Sequence, residues 1–186
     1  MDHPQLSHSL PQRIARFARD RQGASAVEFA MVLPVLLTFY LGTVEVSQGI
    51  GIDRKVTLTT RTAADLVSQS SSINNADMAN VLAASAAVIA PYDPAPLKVT
   101  VSLVSIDSSG YATVTWSDTL NGTKRAVGSS VALPTALKEP NTALVWSEVS
   151  YAYKPTVGYM ITGTLNLSDH IYMRPRLSTT ITRVNS

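Results

Sequence analysis

The one place in this 186-residue chain where a reactive group stands against its surroundings is Glu28, the only charge between Ala24 and Val44 in ASAVEFAMVLPVLLTFYLGTV. A carboxylate at the centre of a membrane-crossing helix costs on the order of 2.5–3.5 kcal/mol, and less near the helix end, so its presence asks for a compensating role. Two readings fit. In the first, Ser25 and Glu28 form a capping box, each side chain satisfying an unpaired amide at a helix start. In the second, Gly23 and Glu28 belong to one processing and assembly signal. Cleavage after Gly23 would free an amine at Ala24, and that amine and the Glu28 carboxylate would be opposite charges at one helix end. In low dielectric they would pair within or between subunits.

Elsewhere the means for catalysis are thin. Of three histidines, His3 and His8 precede the apolar run and His170 stands beside Asp169 and Ser168. Neighbours on a strand point apart, whereas a catalytic triad is assembled from separate elements, so a hydrolase built on Asp169 and His170 is a remote alternative. No G-x-S-x-G, H-E-x-x-H, P-loop or paired dinucleotide motif occurs. Asp77, Asp93, Asp107 and Asp118 fall among turns and helix starts, where acids cap or solvate, and they do not form a calcium loop. The absence of cysteine removes disulfides and thiolate metal sites. The expectation is a non-enzyme with no cofactor and no metal. Trp116, Trp146, Tyr151, Tyr153 and Tyr159 can line a ligand site, although aromatics on strands more often fill a core.

The element that must position Glu28 is a helix. Ala24 to Val44 is 21 residues, and at about 1.5 Å per residue it spans the roughly 30 Å of a bilayer's hydrocarbon core. Arg13, Arg16, Arg19 and Arg21 precede it against Asp20, which by the positive-inside rule keeps the N-terminus cytoplasmic and exports the remainder. The run is too long for a signal peptide's apolar region, and no A-x-A cleavage site follows promptly. Net charge is +2, all of it carried by residues 1–23; the rest balances at eleven basic and eleven acidic residues. With no basic stripe, no nucleic-acid partner is expected.

Pro34 removes one backbone bond and should kink the anchor, freeing the Ala30 carbonyl. Glu45 falls where the helix leaves lipid, and Gly49 and Gly51, each costing about 1 kcal/mol against alanine, predict flexibility there. Ile52, Val56, Ala63, Leu66 and Val67 then recur at helical spacing, with Asp53, Arg54, Lys55, Arg61 and Asp65 on other faces, predicting an amphipathic stem to about Gln69. After the polar break SQSSSINN, Asn75 can cap a second helix striped by Met78, Val81, Leu82, Ser85, Val88 and Ile89 and stopped by Pro91.

Beyond PYDPAP the period becomes two. Leu97, Val99, Val101 and Leu103 share one face of a strand, as do Ala112, Val114 and Trp116 of its hairpin partner across Asp107 to Gly110. Asn121-Gly122 predicts a tight hairpin leading into a strand over Thr123 to Val127. Gly128 to Asn141 reads as a loop or short helix, and Ala143 to Tyr153 as a central strand. It has two apolar faces, Val145, Val149, Tyr151 and Tyr153 on one and Leu144, Trp146 and Ala152 on the other. Tyr159 to Arg176 contains Asp169, His170 and Arg174, too many charges for a second span. Helices first and strands after predict an α+β fold with helices on one face of an antiparallel sheet. The parts are a basic leader (1–23), a transmembrane helix (24–45), a stem and second helix (46–90), and a sheet domain (91–186), the last two forming one exported domain.

Gly23-Ala24-Ser25-Ala26-Val27-Glu28-Phe29 resembles a type IV prepilin signal, and the longer run from Gly23 to Gly49 resembles the TadE-like family of minor pilins or pseudopilins of tight-adherence (Flp-type) pili. The likeness covers about the first third of the chain. It departs from the usual pattern in its 23-residue leader and in the small Ala24 after the cut. The resemblance implies a pilin-like architecture, an inner-membrane location with the C-terminal domain in the periplasm, and cleavage by a prepilin peptidase between Gly23 and Ala24. It also implies contacts with membrane lipid, other pilin or pseudopilin subunits and the pilus assembly platform, with Glu28 setting register and Phe29 packing beside it in pili used for cell adhesion. The competing expectation is a bitopic membrane protein whose exported domain binds a ligand or partner unrelated to pili.

Overall fold

In the computed structural model, which describes residues 21–155 and 163–184, a long helix and a shorter one precede an antiparallel sheet, the α+β order expected from the change of period. Helix α1 runs from Arg21 to Ser68, continuing through Pro34, Gly49 and Gly51. The chain divides into two units between Val44 and Glu45.

In the second unit the stem portion of α1 supplies Ile52, Val56, Ala63, Ala64 and Val67 to the core, all at most 1% exposed. Thr59 and Thr60 are equally buried. Their hydroxyls are satisfied by donating to the carbonyls of Lys55 and Val56, four residues back, at 2.9 and 2.8 Å, so two polar side chains enter the apolar face at little cost. Gly51 is where Tyr92 approaches: a Cβ there would stand 2.5 Å from the tyrosine hydroxyl. The glycine that looked like a weak point in the helix admits a neighbour.

Helix α2 (Asn75–Ala87) starts one residue earlier than expected, with Asn75 its first residue and not its cap. Asn74 is the N-cap, accepting from the Asp77 amide at 2.8 Å, while Asp77 Oδ2 accepts from the Asn74 amide at 3.3 Å. This is a full capping box. Met78, Leu82 and Ser85 face inward, and the helix ends at Ala87, before Pro91.

Strands β2 (Leu97–Ile106), β3 (Ala112–Leu120), β4 (Thr142–Tyr153) and β5 (Leu165–Met173) form an antiparallel sheet ordered β3-β2-β4-β5. A further pair, β1 (Ser72–Ile73) and β6 (Thr182–Arg183), is parallel. The inner face of the sheet carries Leu97, Val99, Val101, Leu103, Val145, Val149, Tyr151 and Tyr153 into one core with the stem and α2. At the far end the outer face is also covered: Val104, Ile106, Leu144 and Trp146 pack with Leu133, Val131 and Leu137. Strand β4 is thus central and buried on both faces over residues 143–147, and on the inner face alone beyond them. A register shift between Leu103 and Val104 makes Thr115 of β3 a bulge residue. Trp116 therefore joins the inner core and Ala112 the outer one, correcting the single face read from their spacing.

The expected strand over Thr123 to Val127 is absent. Asn121 does adopt a left-handed turn, φ 54°, and its side-chain amide donates to Leu97 O at 3.1 Å. The returning chain follows the edge of β3 without a regular ladder. The Arg125 amide donates to Ser117 Oγ at 3.0 Å, and backbone pairing resumes only around Gly128 to Val131. A side-chain acceptor has taken the place of a ladder carbonyl. Leu165 to Met173 is a strand, not a second span.

Candidate functional site

Residues Gly23 to Phe29 lie within α1 and are all solvent-exposed. A Cβ on Gly23 would meet nothing within 4 Å. Ser25 is the fifth residue of the helix, so Ser25 and Glu28 do not cap its start and the capping-box reading fails. Phe29 is 61% exposed, Met31 72%, Phe39 71% and Tyr40 65%. The apolar stretch of this helix is almost entirely exposed. A core helix of a water-soluble domain hides such a surface; this one presents it on every side. Thr38 and Thr43 donate their hydroxyls to Pro34 O and Phe39 O at 2.8 Å, the local satisfaction that polar side chains need in hydrocarbon. Arg13, Arg16 and Arg19 lie outside the described residues.

The sequence singled out aromatics as a possible ligand site. Trp116, Trp146, Tyr151 and Tyr153 are 5–9% exposed and belong to the two cores; Tyr159 lies outside the described residues. Trp116 Nε1 donates to Ile181 O at 2.9 Å, Tyr151 Oη to Asp93 O at 3.0 Å and Tyr153 Oη to Gln48 Oε1 at 3.2 Å. Burial, with nearby carboxylates second, holds both tyrosine hydroxyls above their usual pKa. Tyr153 thus ties β4 to the stem, Tyr151 ties it to the loop after α2, and Trp116 ties β3 to the C-terminal segment. Asp169 and His170 belong to opposite faces of β5, through their partners Val149 and Glu148, and the His170 ring meets Tyr172 edge-on at 5.9 Å. No catalytic dyad forms there.

Two clusters were not legible in the sequence. On the outer face Arg125 binds both Glu148 oxygens, at 2.6 and 2.9 Å, and its guanidinium lies 4.4 Å above the Trp146 ring centroid. The hydrogen bond to Glu148 raises the arginine's pKa. Trp146 in turn stacks on Tyr172 at 5.6 Å. The second cluster is a clamp on the C-terminal segment. Arg183 Nε meets Asp118 Oδ2 at 2.7 Å, and its other nitrogens reach Asn75 Oδ1 at 2.7 Å, Val184 O at 2.8 Å and Ile73 O at 3.3 Å. Burial alone would raise the Asp118 pKa, but hydrogen bonds from Arg183 and Lys124 outweigh it and the carboxyl lies below its usual range. Both clusters are arginines recruited from residues far away in sequence, so no local pattern announces them. Among the described residues no three metal-ligating side chains gather.

An exposed apolar helix ahead of a separately cored α+β unit is the pattern of a membrane-anchored protein, and among the described residues one helix is long and apolar enough to cross a bilayer. Residues 23–65 match the family model for TadE-like protein. The match takes in the glycine and Glu28 motif, the apolar segment and most of the stem, and it supports a Tad pilus-associated protein. Comparison with curated proteins and with solved structures gives no match.

Proposed function

We propose that the chain is a TadE-like minor pilin or pseudopilin, a non-enzymatic, inner-membrane component of Flp pilus assembly. It inserts with its N-terminus in the cytoplasm and its C-terminal domain in the periplasm. A prepilin peptidase cuts between Gly23 and Ala24, and the segment from Ala24 to Val44 remains in the lipid. Glu28 registers the subunit against its neighbours through the freed Ala24 amine, with Phe29 packing beside it.

The observation that carries this reading is the coincidence of three features on one helix: the TadE-like match over residues 23–65, an exposed apolar surface from Val27 to Tyr40, and a lone carboxylate near the start of that surface. An exposed Gly23 also supports peptidase access. The test is mass spectrometry of the mature N-terminus in parent and Gly23→Ala chains. The parent is expected to begin at Ala24 and the variant to retain its leader; a parent chain that keeps its leader would refute cleavage, and a variant that also begins at Ala24 would remove Gly23 from the signal. Glu28→Leu should insert normally yet lose piliation, and unchanged piliation would remove Glu28 from the mechanism.

A further inference from the structure

Strand β5 is the end strand of its sheet, and among the described residues no strand pairs with its outer edge. Its alternation divides its side chains sharply. Leu165, Leu167, Ile171 and Met173 fall on the inner face, opposite Tyr153, Tyr151, Ser147 and Val145 of β4. Leu167, Ile171 and Met173 pack only partly against the core, and Leu165 is 39% exposed. Asp169 interrupts that row. Its Oδ1 accepts from the backbone N–H of His170 at 2.8 Å, so that amide is committed to its own strand's side chain.

We propose that the β5 edge is a latent pairing surface for the β5 edge of a second copy of this chain, held shut by Asp169. A strand edge with unsatisfied backbone groups is a template for another strand, and an inward-pointing charge is one way proteins close it. The second copy is the occupant that the sequence of β5 itself fits. In an antiparallel, two-fold register centred on residue 169, Leu167 faces Ile171 of the other copy and Leu165 faces Met173. Ser168 faces His170 on the opposite side of the sheet. Every inner-face pair is apolar except the central one, where Asp169 meets its own copy. With the His170 amide on the open side, the central pair is a non-hydrogen-bonded one, in which side chains approach most closely. The carboxylate thus acts twice: it occupies the amide that would bond Ser168 of the second copy, and it sets like charges face to face. The inference stands on β5 alone and holds whether or not the chain is a pilin.

The chain contains no cysteine, so introduced thiols report the register without background. Full-length chains in detergent, one carrying Leu167→Cys and the other Ile171→Cys, are mixed under mild oxidation with Asp169 intact or replaced by Leu or Asn. Removing the central charge should raise the mixed disulfide by up to about fivefold, the upper scale of a like-charge opposition across a strand pair. Each cysteine chain alone should give little product, which separates edge pairing from association through the N-terminal helix. Equal cross-linking with Asp169 retained, or none in the Leu and Asn variants, would overturn the proposal. Asp169→Asn preserves size and guards against loss of fold, which far-UV circular dichroism monitors in every sample.

Discussion

Replacing Arg183 with alanine cuts the C-terminal segment from three places at once. The guanidinium and its partner Asp118 are 13% and 11% exposed, and the arginine also bonds Asn75 at the start of α2 and the carbonyls of Ile73 and Val184. Breaking a buried ion pair from one side costs about 3–5 kcal/mol. Asp118 keeps Lys124 at 2.7 Å, so the lower end applies, about 3 kcal/mol, or roughly 10 °C in Tm for a domain of this size. Lys124 is itself 61% exposed, and Lys124→Ala should cost under about 1 kcal/mol. The assay is urea or thermal unfolding of the full chain in detergent, followed by tryptophan fluorescence, because Trp116 bonds Ile181 two residues from the clamp. The pH dependence has a definite sign. The folded-state pKa of Asp118 is depressed, so its pairing contributes fully above the unfolded value of about 3.9 and is lost as pH falls through the lower folded value. The gap between parent and Arg183→Ala should therefore be constant near neutrality and shrink below about pH 4. An Arg183→Ala loss under about 0.5 kcal/mol, the level of an ordinary surface substitution, or a gap that widens in acid, would refute the reasoning.

Two further substitutions probe the core. Ser147 is fully buried in β4 and its hydroxyl has no hydrogen-bond partner, so Ser147→Ala should leave stability unchanged or raise it by up to about 1 kcal/mol; a loss on chemical unfolding would show that the hydroxyl is bonded. Gly51→Ala should destabilise the second unit because its methyl would meet the Tyr92 hydroxyl at 2.5 Å, and Tyr92→Phe should restore much of the loss; equal Tm values for Gly51→Ala and parent would contradict the close approach.

How far the chain could be read depended on whether its contacts repeat locally. Ile52, Val56, Ala63 and Val67 lie a helical period apart, and Leu97, Val99, Val101 and Leu103 alternate, so stem and sheet followed from spacing. Thr59 and Thr60 escaped because a hydroxyl bonded to its own helix buries like a methyl. The bulge at Thr115 turned Trp116 away from Ala112, and a bulge leaves no mark in a run of alternating residues. Thr123 to Val127 was misread because a turn signal fixes the reversal but not the pairing after it. Strand β6 has two residues and a partner about 110 positions earlier, so only the folded chain reveals it, and Arg183 with it. At the candidate site the reverse held. Gly23, Ala24, Glu28 and Phe29 were conspicuous in the sequence, while the structure added their exposure and removed the cap assigned to Ser25.

The claim that most of this rests on is that residues 24–44 lie in lipid, and fractionation of cells producing the full chain tests it most directly. After alkaline carbonate extraction, which strips peripheral proteins, the chain should remain in the membrane pellet and leave it only with detergent. Recovery of the native chain in the soluble fraction would contradict the anchor, and with it the place assigned to Glu28.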